Sequence, residues 1–338
     1  MKRAAKRTVA ALGVVLIGAA ASRHAGVAAP AAQEEQPPAD RGTIAVLRRD
    51  GLIAPFASFR GTGWRVAWPR DLRNLELPVN VASIPERWWG GDTPAAWQAW
   101  PIGGTPRPLT PVAPQIYPIH CAQRLGLRTD YTPQLVPPPV QVEPYPKDGI
   151  AVSGGARVEP IETLDPGPGW GELAVALLDD INRVEDREAS MIASVFSHPV
   201  DRDERHRQPV RIESWYRTTL DDGTTVSYIE AVRSYPPGPE DEECGLETLV
   251  GGWVTHEKGR PEPRADLHAR ITYCDRVGAT FMQPFGRIRV RDRVYWISQV
   301  AGAEAEWYTV AHLAPGRIQF VAEYLAGSRD SCLGVRSP

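Results

Sequence analysis

From Trp170 onward the chain places apolar residues at 170, 173, 174, 177, 178, 181 and 184, with Asp179, Asp180, Arg183 and Glu185 between them. That i, i+3, i+4, i+7 spacing predicts an amphipathic helix lying with its apolar stripe on a sheet. Pro166, Gly167, Pro168 and Gly169 delay its start. Residues 187–197 fit either a continuation of the helix or the beginning of a strand.

Elsewhere the pattern is that of strands. Residues 210–220 and 224–235 flank Asp222-Gly223, which reads as a two-residue hairpin turn because both residue types tolerate positive φ. Residues 249–256 and 267–274 form a second pair. Residues 287–290, 294–300, 307–313 and 317–325 read as a meander, turning at Arg291-Asp292, at 302–304 and at Pro315-Gly316. Consecutive antiparallel strands of this kind are expected to bury one face. Near the start, 43–47 and 52–59 flank Arg49-Asp50-Gly51 as another hairpin. No fixed-period repeat runs through the chain, which ranks a β-propeller below a helix-backed sheet. The predicted fold class is therefore mostly β, a β-rich α+β fold: an antiparallel meander sheet backed by one amphipathic helix and preceded by a small Trp/Pro-rich β module.

Composition divides the chain. Lys2, Arg3, Lys6 and Arg7 precede an uncharged, mostly apolar run from Val9 to Ala21, and small residues follow. This is the three-part order of a signal peptide over residues 1–29, with cleavage after Ala21 or Ala29. The apolar run is shorter than a membrane span requires, and no later stretch is apolar enough to serve as one. Residues 30–42 read as a disordered leader. In residues 43–130, six of the eleven tryptophans fall between 64 and 100, among closely spaced prolines that forbid long helices. Trp64, Trp97 and Trp100 are expected in its core, whereas Trp88-Trp89, followed by two glycines, could be core or a binding platform. Six prolines between 131 and 148 suggest a semi-rigid linker. Residues 149–330 then form the helix-plus-sheet module, and 331–338 a tail.

Charge and cysteine narrow the setting. Five of the 38 basic residues (Lys2, Arg3, Lys6, Arg7 and Arg23) precede residue 30 and no acid does, leaving 33 against 41, a net charge of −8. That argues against nucleic acid as a partner, since such binding rests on neutralising phosphates. Cys121, Cys244, Cys274 and Cys332 are disulfide candidates in a periplasmic or secreted protein, and Cys332 joined to Cys244 or Cys274 is the favoured bridge. No Cys-x-x-Cys pair suggests zinc or redox chemistry.

Three places could carry chemistry. In a two-residue hairpin Arg217 faces Tyr228, Trp215 faces Glu230 and Glu213 faces Val232, which puts Glu213, Trp215, Arg217, Tyr228 and Glu230 on one face. An indole beside carboxylates and an arginine suits a glycan, and two carboxylates could serve as an acid/base pair. The plainer reading is a solvated face with cross-strand ion pairs, which outweighs both. The run from His198 to His206 holds imidazoles and carboxylates, but its spacing fits no metal loop and its arginines repel a cation, so no metal or cofactor is expected. His120-Cys121 is better read as half a disulfide than as a nucleophile. Gly-x-Ser-x-Gly, Gly-x-Gly-x-x-Gly and phosphate-loop motifs are all missing. The balance favours a non-catalytic binding or interaction module, for a glycan or an envelope protein. An envelope hydrolase using Glu213 and Glu230 and a structural protein of the envelope are the alternatives. Glu213 and Glu230 in a concave pocket, one with a strongly raised pKa, would favour the hydrolase. Exposed Trp88, Trp89 or Trp215 in a flat strip would favour the binder.

Overall fold

A computed structural model describes residues 40–66, 80, 96–119, 122–133, 147–165, 167–236, 245–276, 278–302 and 305–328. The expected signal peptide, almost all of the leader, Trp88, Trp89, Cys121, Cys244, Cys332 and most of the proline-rich segment lie outside the described residues. The chain is mostly β, with antiparallel sheets and few helices.

The first sheet holds β1 (Arg41–Arg48), β2 (Leu52–Arg60), β3 (Gly63–Val66), β4 (Trp97–Pro101), β5 (Arg107–Leu109), β6 (Pro111–Ile119), β7 (Ala122–Thr129) and β8 (Lys147–Ser153), in the order β5-β4-β8-β1-β2-β7-β6 with β3 also on β2. β1 and β2 close across the turn at 49–51, as the Asp50-Gly51 cue requires. β8 lies between β4 and β1, so residues 147–153 complete the first sheet although they follow the proline-rich segment.

The second sheet runs β10 (Glu162–Thr163), β11 (Arg211–Thr219), β12 (Thr225–Ser234), β13 (Leu246–His256), β14 (Arg264–Tyr273). The third runs β18 (Arg317–Ser328), β17 (Ala305–Ala314), β16 (Arg293–Gly302), β15 (Thr280–Val290), β9 (Val158–Glu159). β15 to β18 are the expected meander, but β16 within it is buried on both faces rather than one. Tyr295 and Ile297 of β16 join the core shared with the first sheet. Val294 and Trp296 pack with Tyr216, Tyr228 and Trp253 of the second sheet. Strict alternation sends neighbouring residues to opposite faces, and a strand covered on both sides reads as the continuous apolar run that β16 shows.

The other face of the second sheet carries the helices α1 (Pro168–Ala176) and α2 (Leu178–Ile192), with a short α3 (Arg202–Arg207) beyond them. The predicted stripe is the one buried: Ala174, Leu177, Ile181 and Val184 lie on Ile212, Ile229, Val250 and Leu267. Leu177 separates α1 from α2 while still bonding to Leu173 and Ile181. Glu185 departs from the spacing, which puts it on the polar side. It is fully buried and accepts hydrogen bonds from Arg233, Tyr235 and Thr248, pinning α2 to β12 and β13. Among the described residues no helix is long and apolar enough to cross a membrane.

Candidate functional site

The hairpin between β11 and β12 has one residue more in its loop than a two-residue turn. Gly223 N–H donates to Leu220 O, Leu220 N–H donates to Thr224 O, and Gly223 has φ 82°. This is a three-residue loop with glycine in the left-handed position. The register follows: Arg217 opposes Ser227, Tyr216 opposes Tyr228, and Trp215 opposes Ile229. A slip of one residue exchanges faces, so the expected single face of five residues does not form. Trp215 turns toward the helices, edge-on to Trp170 with ring centres 6.5 Å apart, and donates its indole N–H to Ser227 Oγ at 3.1 Å. Arg217 holds Glu162 through two bonds of 2.9 and 2.8 Å. Tyr228 and Glu230 face the third sheet instead.

Glu213 and Glu230 nevertheless meet. A bulge lies between Ile212 and Ser214, and such an extra residue re-aims a side chain. Glu213, Glu230, Leu249, Gly251, His268, Arg270 and Phe281 line one small cleft that opens to solvent. The floor is a row across the sheet in which Ser214 opposes Glu230, Glu230 opposes Gly251, and Gly251 opposes His268.

The two carboxyls have opposite electrostatics. Glu230 is buried, and burial, aided by the charge of Glu213, pushes its pKa up to about 7 against the lowering effect of its hydrogen bonds from Met282 N–H and Ser214. The Met282 bond is 2.7 Å. Burial works to raise Glu213 too, but Arg276 and Arg211 outweigh it and hold that carboxyl below its ordinary value. Arg276 grips both Glu213 oxygens at 2.7 and 2.9 Å and reaches Glu247 at 2.9 Å. One group therefore keeps its proton near neutrality while its neighbour stays ionised, the separation that divides an acid from a carboxylate partner.

Two cleft residues escaped the sequence reading. His268 sits on the polar side of a cleanly alternating strand, and desolvation lowers its imidazole below the ordinary value. Gly251 and Gly252 lie in the middle of β13, and paired glycines inside a strand mark a close backbone approach or a ligand. A side chain on Gly252 would strike Asp266 O at 2.3 Å.

The remaining candidates are structural in placement. Asp201 caps α3 by accepting from Glu204 N–H at 2.9 Å. Asp186 of α2 gathers Arg202, Arg205 and His206 at 2.8, 2.9 and 3.1 Å. His198 bonds locally to Val200 and stacks edge-on to Tyr235. Among the described residues no three His, Cys, Asp or Glu side chains stand together as a metal would need. Cys274 is disulfide-bonded, to a partner outside the described residues. Trp97 is buried, and Trp64 packs against Phe59 and Tyr295.

No family model matches the chain, and neither a curated protein nor a solved structure matches it.

Proposed function

We propose that the protein is an exported hydrolase that works by acid catalysis at the Glu230–Glu213 cleft, with a glycosidic bond as its target. The observation that carries this is the splitting of two carboxyls in one concavity: Glu230 raised to about 7 and Glu213 lowered. Paired carboxyls of unlike pKa are what glycoside hydrolysis requires. Glu230 donates its proton to the leaving oxygen as the C–O bond breaks. The Glu213 carboxylate faces the positive charge that develops on the sugar carbon. Water adds to that carbon and returns a proton to Glu230. The basic, apolar, small-residue order of residues 1–29 supports export to the periplasm or beyond.

The test is a hydrolysis screen of the purified protein against chromogenic glycosides, polysaccharides and peptidoglycan fragments. Cleavage is expected to fall at least about 100-fold in Glu230→Gln and in Glu213→Gln, with both variants still folded. A panel left uncut by the wild type, or cut equally well by Glu230→Gln, removes the reading.

A further inference from the structure

The cleft runs from a buried acid to an exposed cation. Glu230 of β12 opposes Gly251 of β13, and Gly251 opposes His268 of β14. The Cα atoms of the acid and the imidazole thus lie two strand spacings apart, about 10 Å. Arg270 follows His268 on the same face of β14, opposite Leu249. β14 is the outermost strand of its sheet, and His268 and Arg270 are both exposed there. All of these residues line the cleft. A short oligosaccharide seated on Glu230 therefore passes over Gly251 and Leu249 and comes within reach of Arg270.

The charges along that path are unequally answered. Glu213 has both oxygens held by Arg276 and a further contact from Arg211 at 2.8 Å. Glu230 keeps its proton near neutrality and adds no negative charge. Desolvation holds His268 below its ordinary pKa, which leaves it neutral there. Arg270 differs. Among the described residues its guanidinium meets only Glu188, through one Nη1–Oε1 contact of 3.5 Å, long for a charge-assisted bond, and its side chain is 57 % exposed. A guanidinium carries five N–H donors in a planar fork that matches anionic oxygens, and Nε and Nη2 are left for such a group. The nearest acid along β14, Asp266, lies beyond His268 on the side away from Arg270.

We propose that Arg270 determines which substrate the cleft takes, by binding a negatively charged oxygen group on a sugar: the carboxylate of a uronic acid, or a sulfate or phosphate ester. This rests on the cleft being the hydrolytic site. Neutral His268, with one donor and one acceptor nitrogen, is placed beside Arg270 to bond a hydroxyl of the same sugar.

The probes are methyl glycosides of the hexuronic acids, their neutral hexose twins, and the 6-sulfate and 6-phosphate esters of those twins, with the imidazole signals of His268 followed by NMR in the full chain. At least one charged glycoside is expected to shift His268 saturably and to bind at least about tenfold more tightly than its neutral twin, as a hydrogen bond to a charged group requires. The arm that binds, uronide or ester, says which anion the rim reads. Arg270→Gln is expected to bring charged and neutral twins to the same affinity. It also takes the cation from buried Glu188, so the double variant Arg270→Gln with Glu188→Gln, which restores the local balance of charge, is expected to lose the preference equally. Equal affinity for the twins in wild type, a preference that survives in either variant, or no binding by any probe overturns the proposal. A charged preference in binding with no glycoside cleaved would instead sink the hydrolase reading and leave the anion site standing. Cleavage that is the same for charged and neutral substrates, and unaltered in Arg270→Gln, would sink the anion site alone.

Discussion

The Met282 backbone N–H donates to Glu230 Oε1 at 2.7 Å, tying a protonatable carboxyl of β12 to the start of β15. Burial moves that carboxyl from an ordinary 4.5 to about 7, and stability must respond. Below about pH 4.5 folded and unfolded chains both hold the proton. Between there and about 7 the unfolded chain has released it and the folded chain has not, so stability falls as pH rises. The full loss is on the order of 3 kcal/mol. Glu230→Gln keeps the acceptor for Met282 and removes the titration. Its unfolding temperature relative to wild type is expected to rise by several degrees between pH 4.5 and pH 8. A constant difference over that range, read by calorimetry, would contradict a raised Glu230.

The same titration sets the direction of a pH–rate profile. If Glu230 is the acid, only its protonated form works, so activity declines as pH rises through about 7. Glu213 is held below its ordinary value, so the acidic limb lies well below that. Steady-state kcat/KM on any cleaved glycoside, measured from pH 4 to 9, is expected to show the alkaline limb in wild type and in Arg270→Gln. A profile still rising at pH 8 would assign the proton to another group.

Arg276 does most to keep Glu213 ionised, with Arg211 beside it, and it does so while also holding Glu247. Replacing it with methionine takes that cation from two partly buried carboxylates and leaves Glu213 with Arg211 alone. The expected cost is on the order of 2 kcal/mol, since bonds to charged groups exceed neutral ones. Loss of the guanidinium also raises Glu213, bringing the two cleft carboxyls closer in pKa and lowering turnover. Urea unfolding and kcat should therefore both fall; a variant as stable and as active as wild type would show that the clamp is idle.

Much of this architecture is readable from residue pattern. The Asp50-Gly51 hairpin, the stripe from Ala174 to Val184 and the meander over 287–325, which the structure extends to 280–328, follow from turn chemistry and periodicity. The facing of β11 against β12 does not follow, because Asp222-Gly223 serves a two-residue and a three-residue loop equally well and the choice shifts every partner by one. Glu213 and Glu230 reach one cleft through two offsets that compensate: the longer loop moves the register one way, and the bulge at 212–214 re-aims Glu213. Trp215 has no such correction and turns to the helices. His268 was hidden for another reason. Its strand shows its polar side clearly, but nothing local says that Gly251 and Glu230 lie beside it; that depends on the pairing of β12, β13 and β14.

Trp215 offers a direct contrast between core and binding surface. Its indole is half-buried against Trp170 and bonded to Ser227, so Trp215→Ala is expected to cost on the order of 2 kcal/mol, less than a fully buried indole would. Glycoside affinity at temperatures where the variant stays folded is expected to match wild type. A variant that keeps its unfolding temperature but loses sugar binding would return Trp215 to the ligand surface.

Lys147 and Glu306 form an ion pair of 2.8 Å with neither side chain reaching solvent, between β8 of the first sheet and β17 of the third. Desolvating two charges offsets most of their attraction, so the pair itself adds little; removing one member is a different matter, because the other is left buried and uncompensated. Lys147→Met is expected to destabilise by about 3–5 kcal/mol, and Glu306→Leu by a comparable amount. The double variant, two apolar side chains of similar length in the same place, is expected to recover most of the loss. Urea unfolding of the four proteins closes the cycle. If the double variant is as unstable as the sum of the singles, the two charges do not act as a pair, and the junction between first and third sheets depends on Lys147 and Glu306 through their other neighbours, Tyr308 among them.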